Sequence, residues 1–106
     1  MYRILIAAAF AAASTPVLAQ GLESMKLATE LGTVLASEEP CGLTFDQTAI
    51  AAFIEAKVPA DDMSFPSRLS MMTKGSAYQI DEMSASSKTA HCTQIKRVAA
   101  SYGFIQ

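Results

Sequence analysis

The stretch KTAHCTQIKR, residues 88–97, places a histidine directly before a cysteine and follows the pair with two positive charges. Such a setting suits three kinds of cysteine: an activated thiol, a metal ligand, or one half of a disulfide. Which of the three applies to Cys92 depends on the compartment in which the chain folds. The opposite end of the sequence indicates that compartment.

The first twenty residues, MYRILIAAAFAAASTPVLAQ, have the pattern of a secretory signal peptide. Arg3 gives a short positive start, residues 4–13 form an apolar run, and small residues precede a cleavage point before Gln20. Polar residues and a proline interrupt the apolar run before it reaches the roughly 18–20 residues that a membrane helix needs. The segment therefore predicts export followed by cleavage.

Removal of residues 1–19 would leave residues 20–106 as one small domain, periplasmic or secreted, with no integral membrane segment. This mature chain has about 87 residues (106 − 19). Its formal charge is about −3, because seven Lys and Arg remain against ten Asp and Glu once Arg3 is gone. A small net negative charge of this kind does not indicate binding to nucleic acid or to anionic lipid.

The mature chain contains two cysteines, Cys41 and Cys92. An even number of cysteines in a small exported domain indicates a disulfide, and this is the one pairing available within the chain. The bridge would span 51 residues (92 − 41), for which the chain-entropy model gives about 4 kcal/mol of stabilisation. We therefore predict a Cys41–Cys92 disulfide.

The other roles for Cys92 are weaker on physical grounds. Neighbours on a helix point about 100 degrees apart, so His91 cannot face Cys92 as its base, and Cys41 would capture a nucleophilic thiolate. One histidine and two cysteines fall short of the four ligands of a zinc site. We expect no catalytic residue, no metal and no cofactor, with His91 partly exposed beside the bridge.

The acidic residues of the chain cluster in pairs. Hard-cation sites need several oxygens that converge on one loop, whereas separate pairs are typical of helix ends and solvated faces. We therefore expect the acidic pairs to lie at helix ends and on solvated faces; the pairs are Glu38-Glu39, Asp61-Asp62 and Asp81-Glu82.

Apolar residues recur three and four positions apart through the mature chain, which is the spacing of amphipathic helices, and no convincing strand pattern occurs. Gly32 is tolerated inside the first helix at a cost of about 1 kcal/mol relative to alanine. The predicted elements are a helix over residues 21–39, a second that opens at Thr44 or Asp46 and ends at Val58, and a third capped by Ser64 with Pro66 in its first turn.

The stretch MSASSKT, residues 83–89, leaves two interpretations open. Either Ser86 or Ser87 caps a fourth helix, or the third helix continues through the serines. Gly103 is predicted to follow the last helix as its C′ residue, with the final apolar residues folding back onto the domain. The predicted fold is all-α, a small three- to four-helix domain closed by one disulfide.

The triplet Cys92-Thr93-Gln94 follows, about 50 residues later, a first cysteine that is predicted to open a helix in a small exported helical chain. This chain resembles the HdeA-type acid-stress chaperones and the related helical immunity proteins of type VI secretion. The resemblance covers the arrangement of helices and cysteines over residues 40–100, and residue identity at the three positions of the triplet. This chain differs from the HdeA-type chains in having no tryptophan. It implies a periplasmic helical fold pinned by one disulfide. It also implies a homodimer that opens in acid and exposes apolar surface to unfolding clients.

Acid would charge this chain strongly. Protonation of the ten acidic residues takes the mature chain from about −3 to about +8, counting His91, and self-repulsion of that size favours opening. Methionines provide an adaptable apolar surface for clients, although methionines at helical spacing often belong to a core. The candidate binding surface consists of Met63, Phe65, Met71 and Met72.

Three functional interpretations follow. The first is a noncatalytic binding protein whose partners are unfolded clients or a single protein. The second is an immunity protein or inhibitor of one secreted enzyme, with the segment VPADDMSFP, residues 58–66, as an acidic and aromatic wedge. The third is an enzyme in which Asp61, Asp62 or Glu82 acts as acid and base. We prefer the first, because no nucleophile, base or metal constellation remains once the cysteines are paired.

Overall fold

The computed structural model describes the backbone from residue 16 to residue 106 and the side chains from residue 21. The predicted signal peptide lies outside the described residues, apart from its last four, which form the first turn of a helix. The described chain consists of four helices with no strand, which confirms the all-α prediction: α1 (Pro16–Ala36), α2 (Gln47–Lys57), α3 (Phe65–Asp81) and α4 (Ala85–Ser101).

Helix α1 ends at Ala36, three residues before the predicted end at Glu39. Consecutive turns follow, in which the Cys41 N–H donates to Ser37 O at 3.0 Å and Leu43 N–H donates to Glu38 O at 2.8 Å. Gly42 closes these turns with a positive φ of 67°, a conformation that glycine adopts without steric cost. The predicted end was therefore too late, because Ser37, Glu38 and Glu39 belong to these turns and not to the helix.

Helix α2 begins and ends where the sequence predicts. Asp46, one of the two predicted caps, accepts hydrogen bonds from the N–H groups of Thr48 at 2.9 Å and Ala49 at 3.3 Å. At the other end Val58 is extended, as expected for the residue before a proline.

Helices α3 and α4 are separate, which settles the question left open by residues 83–89. Ser84 is the cap of α4: its backbone is extended, with ψ at 164°, and its hydroxyl oxygen accepts from the Ser87 N–H at 3.2 Å. The predicted caps Ser86 and Ser87 are therefore wrong. Both lie inside the first turn of α4, where the backbone is already helical.

Gly103 ends α4 as predicted, with a φ of 82°. The Phe104 N–H donates to Ala99 O at 2.9 Å and the Gly103 N–H to Ala100 O at 3.1 Å, the two bonds of a Schellman motif. This turn directs Phe104 into the core, where its side chain is almost fully buried.

The core lies between α1 and the elements that pack around it. Phe104 stacks at ring-centroid distances of 5.4 to 5.7 Å against three aromatic rings, those of Phe45, Phe53 and Tyr102. In addition, the Asp46 N–H donates to the Phe104 carbonyl at 2.9 Å, which fixes the C-terminal segment to the start of α2. The buried cluster comprises Ala28, Leu31, Val34, Phe45, Phe65, Ile95, Ala99 and Phe104.

Helices α1 and α3 approach each other closely at Gly32. A Cβ atom at this position would lie 2.9 Å from Met72 Cβ and 3.1 Å from both the Met72 carbonyl carbon and the Thr73 nitrogen. One turn further on, the hydroxyl oxygens of Thr33 and Ser76 are 3.1 Å apart, within hydrogen-bonding distance. Two of the three near atoms belong to the α3 backbone, so the helices can lie this close because residue 32 has no side chain.

This geometry predicts opposite effects for two glycine substitutions. Gly32→Ala should destabilise the domain by about 1–3 kcal/mol, because the added methyl group forces the two helices apart. Gly75→Ala should stabilise it by about 0.5–1 kcal/mol, because a Cβ there meets nothing within 4 Å and alanine is the better helix former. Urea unfolding followed by circular dichroism measures both. Equal effects of the two substitutions would contradict the close approach.

Candidate functional site

The disulfide between Cys41 and Cys92 joins the turns after α1 to the middle of α4, and it confirms the predicted pairing. The two Cα atoms are 5.4 Å apart, within the range of about 4.4–6.8 Å in which a disulfide forms without backbone movement. The described residues contain no free cysteine. Cys92 is therefore a structural cross-link between two elements that are distant in sequence.

His91 lies beside the bridge and is half-buried, as predicted. Its Nε2 is 2.8 Å from the hydroxyl oxygen of Ser37, a fully buried residue. The Ser37 hydroxyl donates its single hydrogen to Thr33 O at 2.7 Å, so it accepts from an Nε2–H of the imidazole. His91 therefore fastens α4 to the end of α1 by a second contact next to the disulfide.

The purified protein without residues 1–19 should have a mass two hydrogens below that of the reduced chain. Replacement of both cysteines, Cys41→Ser with Cys92→Ser, should lower the free energy of unfolding by about 4 kcal/mol, because the open chain gains the entropy that a 51-residue loop had removed. Mass spectrometry and urea unfolding measure the two effects. Free thiols at both positions in the purified protein would disprove the bridge.

The structure divides the candidate binding surface between the interior and the exterior. Phe65 is only 2% exposed and belongs to the core, and Met72 is half-buried at the contact with Gly32. By contrast, Met63 is 81% exposed and Met71 is 65% exposed. The four residues therefore do not form one continuous surface in this structure.

Helical geometry explains this division. Phe65, Leu69 and Met72 repeat at helical spacing along the inner face of α3, so the alternative that spaced methionines belong to a core holds for Met72. Met71 lies about 100 degrees around the helix and faces outward. Seven residues later, on the same outer face, Tyr78 is 71% exposed.

A polar contact that the sequence reasoning missed connects α1 to the segment before α3. The Ser24 hydroxyl, which is buried, donates to Asp62 Oδ2 at 2.6 Å. This bond is the largest cause that lowers the pKa of Asp62 below its ordinary value of 3.8, with further contributions from the N–H groups of Ser64 and Phe65 and from the positive charge of Arg68. Asp62 is thus held as a carboxylate between two helices.

Asp62 also clarifies the start of α3. Ser64 occupies the predicted N-cap position, but its backbone is helical and its side chain makes no capping hydrogen bond. The carboxylate of Asp62 interacts with the first N–H groups instead. All three acidic pairs stand at helix ends, as predicted, although Glu38 and Asp62 are half-buried rather than solvated. For this role at the helix start, the available signal was the acidic pair shortly before a helix with a proline in its first turn, whereas nothing local pointed to the contact with Ser24.

The lowered pKa of Asp62 predicts a pH-dependent stability. A carboxyl group whose pKa is lower in the folded state stabilises the fold above its unfolded pKa, and this stabilisation is lost as pH falls through the folded pKa. At every pH between 7 and about 5, Asp62→Asn should therefore unfold at a lower urea concentration than the wild type. Below about pH 4 the difference between the two urea midpoints should shrink.

The matched control for this experiment is Asp61→Asn, which removes the same charge from the exposed neighbouring position. It should change the urea midpoint much less than Asp62→Asn does. If the two variants behave alike across the pH range, the Ser24–Asp62 contact does not contribute to stability.

An open groove of about 950 Å³ lies where α1 and α3 end. We call it the acidic groove. Its apolar lining comes from both helices and from the turns after α1, and three carboxylates and one ammonium group stand along it. The residues that line the acidic groove include Leu35, Leu43, Tyr78, Glu39, Asp81 and Lys88.

Among the residues that the structure describes, no group of three His, Cys, Asp or Glu side chains is close enough to hold a metal ion. None of the described helices is both long and apolar enough to span a membrane.

Comparison with known proteins found no matching family model, no matching curated protein and no matching solved structure. The resemblance to HdeA-type chaperones and helical immunity proteins therefore stays a prediction.

Proposed function

We propose that this chain is an exported, noncatalytic protein-binding domain of the periplasm or cell exterior, and that it binds unfolded clients in acid as HdeA-type chaperones do. The observation that carries the proposal is the Ser24–Asp62 contact, an ionised link between α1 and the start of α3. The disulfide supports the export, because disulfides persist in oxidising compartments.

Acid would act on the interface between α1 and α3. Protonation of Asp62 removes the negative charge that attracts Arg68 and the N–H groups at the start of α3. The local change therefore adds to the overall shift of the mature chain from about −3 to about +8.

Loosening of this interface would expose apolar surface suited to an unfolded client. Phe65 and Met72 both lie on the face of α3 that turns toward the core, and Met63 and Met71 are already exposed beside them in sequence. If α3 separated from α1, Phe65 and Met72 would become exposed together with Met63 and Met71. Meanwhile the disulfide would keep the turns after α1 attached to α4 and limit the expansion of the chain.

The test uses the purified, oxidised residues 20–106 mixed with an acid-labile client protein at about pH 2–3 and followed by light scattering through neutralisation. We expect the domain to suppress scattering in acid and to have no effect at pH 7. A fluorescent dye that binds apolar surface should report the opening of the domain alone over the same pH range. Sedimentation at both pH values measures whether the domain forms a homodimer that dissociates.

Asp62→Asn and Asp61→Asn provide the matched pair for this test. Asp62→Asn should move dye binding and client protection to higher pH, because the link is already weakened before the solution is acidified. Asp61→Asn should follow the wild type. Scattering that is unchanged by the wild-type domain in acid would remove the chaperone proposal.

A second candidate function has one observation in its favour. Among the residues whose side chains the structure describes, Met63 is the most exposed large hydrophobic one, and it borders an apolar pocket of about 310 Å³ in the segment proposed as an inhibitory wedge. A side chain so exposed beside a small apolar pocket suits docking to one specific protein. An immunity protein or inhibitor of a secreted enzyme would yield a single tight partner at neutral pH, where the acid chaperone binds no client.

A further inference from the structure

The acidic groove has an excess of negative charge. The charged residues that line it are Glu38, Glu39 and Asp81 against Lys88, three carboxylates and one ammonium group. Glu38 already uses one oxygen, which accepts from the Phe45 N–H at 2.8 Å. Glu39 and Asp81 are exposed to solvent, so their charges are available to a ligand.

The helix ends reinforce this charge. Helix α1 ends at Ala36 and helix α3 ends at Asp81, and both residues line the groove. The C-terminal end of a helix carries a partial negative charge, which proteins often offset with a basic residue in the last turn. Neither α1 nor α3 has a basic residue there, and α3 ends on an acid instead. The two helix ends therefore favour a cationic ligand.

Aromatic and apolar groups give the groove a second property. Tyr78 lies on its wall with most of the side chain exposed, and Leu35 and Leu43 line it as well. The face of a tyrosine ring attracts a guanidinium or ammonium group placed over it. The groove thus offers carboxylates, an aromatic face and apolar contacts in one concave surface.

We infer that the acidic groove is a docking site for an extended basic segment of a partner protein, in which arginine side chains meet Glu39 and Asp81 and one guanidinium group stacks on Tyr78. The carboxylates of Glu39 and Asp81 belong to different elements, the turns after α1 and the end of α3, which suits cations spaced along an extended chain. A volume of about 950 Å³ is near the upper end of the range of about 300–1,000 Å³ for ligand pockets, which leaves room for several residues. This inference concerns the folded domain at neutral pH and goes beyond the proposed acid-dependent function.

The probe is a fluorescein-labelled ten-residue peptide with arginine at alternate positions and serine or leucine between them. A second peptide has glutamine in place of every arginine. Fluorescence anisotropy with the oxidised domain at pH 7 should show saturable binding of the first peptide and none of the second. If the arginine peptide shows no saturable binding when the domain concentration reaches about 1 mM, the proposal is overturned.

Paired variants separate the groove from overall charge. Glu39→Gln with Asp81→Asn should weaken binding about fivefold, because two exposed ion pairs are lost. Glu23→Gln with Glu55→Gln makes the same change in net charge at exposed positions that do not line the groove, and should leave affinity within about twofold. Equal weakening by both pairs would overturn the proposal, because binding would then depend on net charge alone.

Tyr78 provides the specific test of the aromatic contact. Tyr78→Phe retains the ring and should bind like the wild type, whereas Tyr78→Ala should bind about threefold more weakly. Sedimentation of each variant at pH 7 identifies the alternative occupant. If the groove variants abolish self-association of the domain, the groove is an interface with a second copy and the proposal fails. Because the peptide experiments need no acid, their failure is distinguishable from failure of the client experiment.

Discussion

The attachment of the turns after α1 to α4 is the constraint on which the rest of this structure depends. Three contacts of different chemistry converge there: the Cys41–Cys92 bridge, the His91–Ser37 hydrogen bond, and the backbone bond from Asp46 to Phe104. Together they hold the end of α1, the middle of α4, the beginning of α2 and the C-terminal segment near one another. At the end of this segment, the Phe104 ring also packs against the rings of Phe45, Phe53 and Tyr102. The position of α2 and the course of the C-terminus follow from this attachment.

The contact between α1 and α3 is of another kind. It depends on the close approach at Gly32, on one hydroxyl pair, and on the Ser24–Asp62 bond at its edge. No covalent bond supports it, and one of its polar members is a titratable group. The turns after α1 are thus held to α4 by a covalent bond, whereas α1 and α3 are held together by packing and by hydrogen bonds, one of which involves a carboxylate. This unequal distribution is the physical basis on which we propose acid-dependent opening.

Much of the fold could be predicted from local chemistry, because caps and terminators act within a few residues. Asp46, the Val58-Pro59 pair and Gly103 ended or began helices as expected. Ser84 was missed because a run of similar small residues presents equivalent local signals, and tertiary packing selects among them. The roles of Gly32 and Asp62 could not be inferred, since each depends on which residue of a distant segment lies opposite. For the same reason the periodicity placed Phe65 and Met72 on one face without showing that this face is the interior.

The span of the disulfide has a consequence for the order in which the domain matures. Cys92 stands fourteen residues from the C-terminus (106 − 92), and α1 lies wholly before Cys41, outside the covalent loop. A chain that emerges N-terminus first therefore presents α1 with its apolar face uncovered until α3 and α4 have followed. The bridge can close only after Cys92 has emerged, and its loop encloses α2 and α3, while α1 is held against the other helices by packing and hydrogen bonds. A protease that cut between α1 and Cys41 would release the helix around which the core is built, whereas a cut inside the loop would leave both fragments joined.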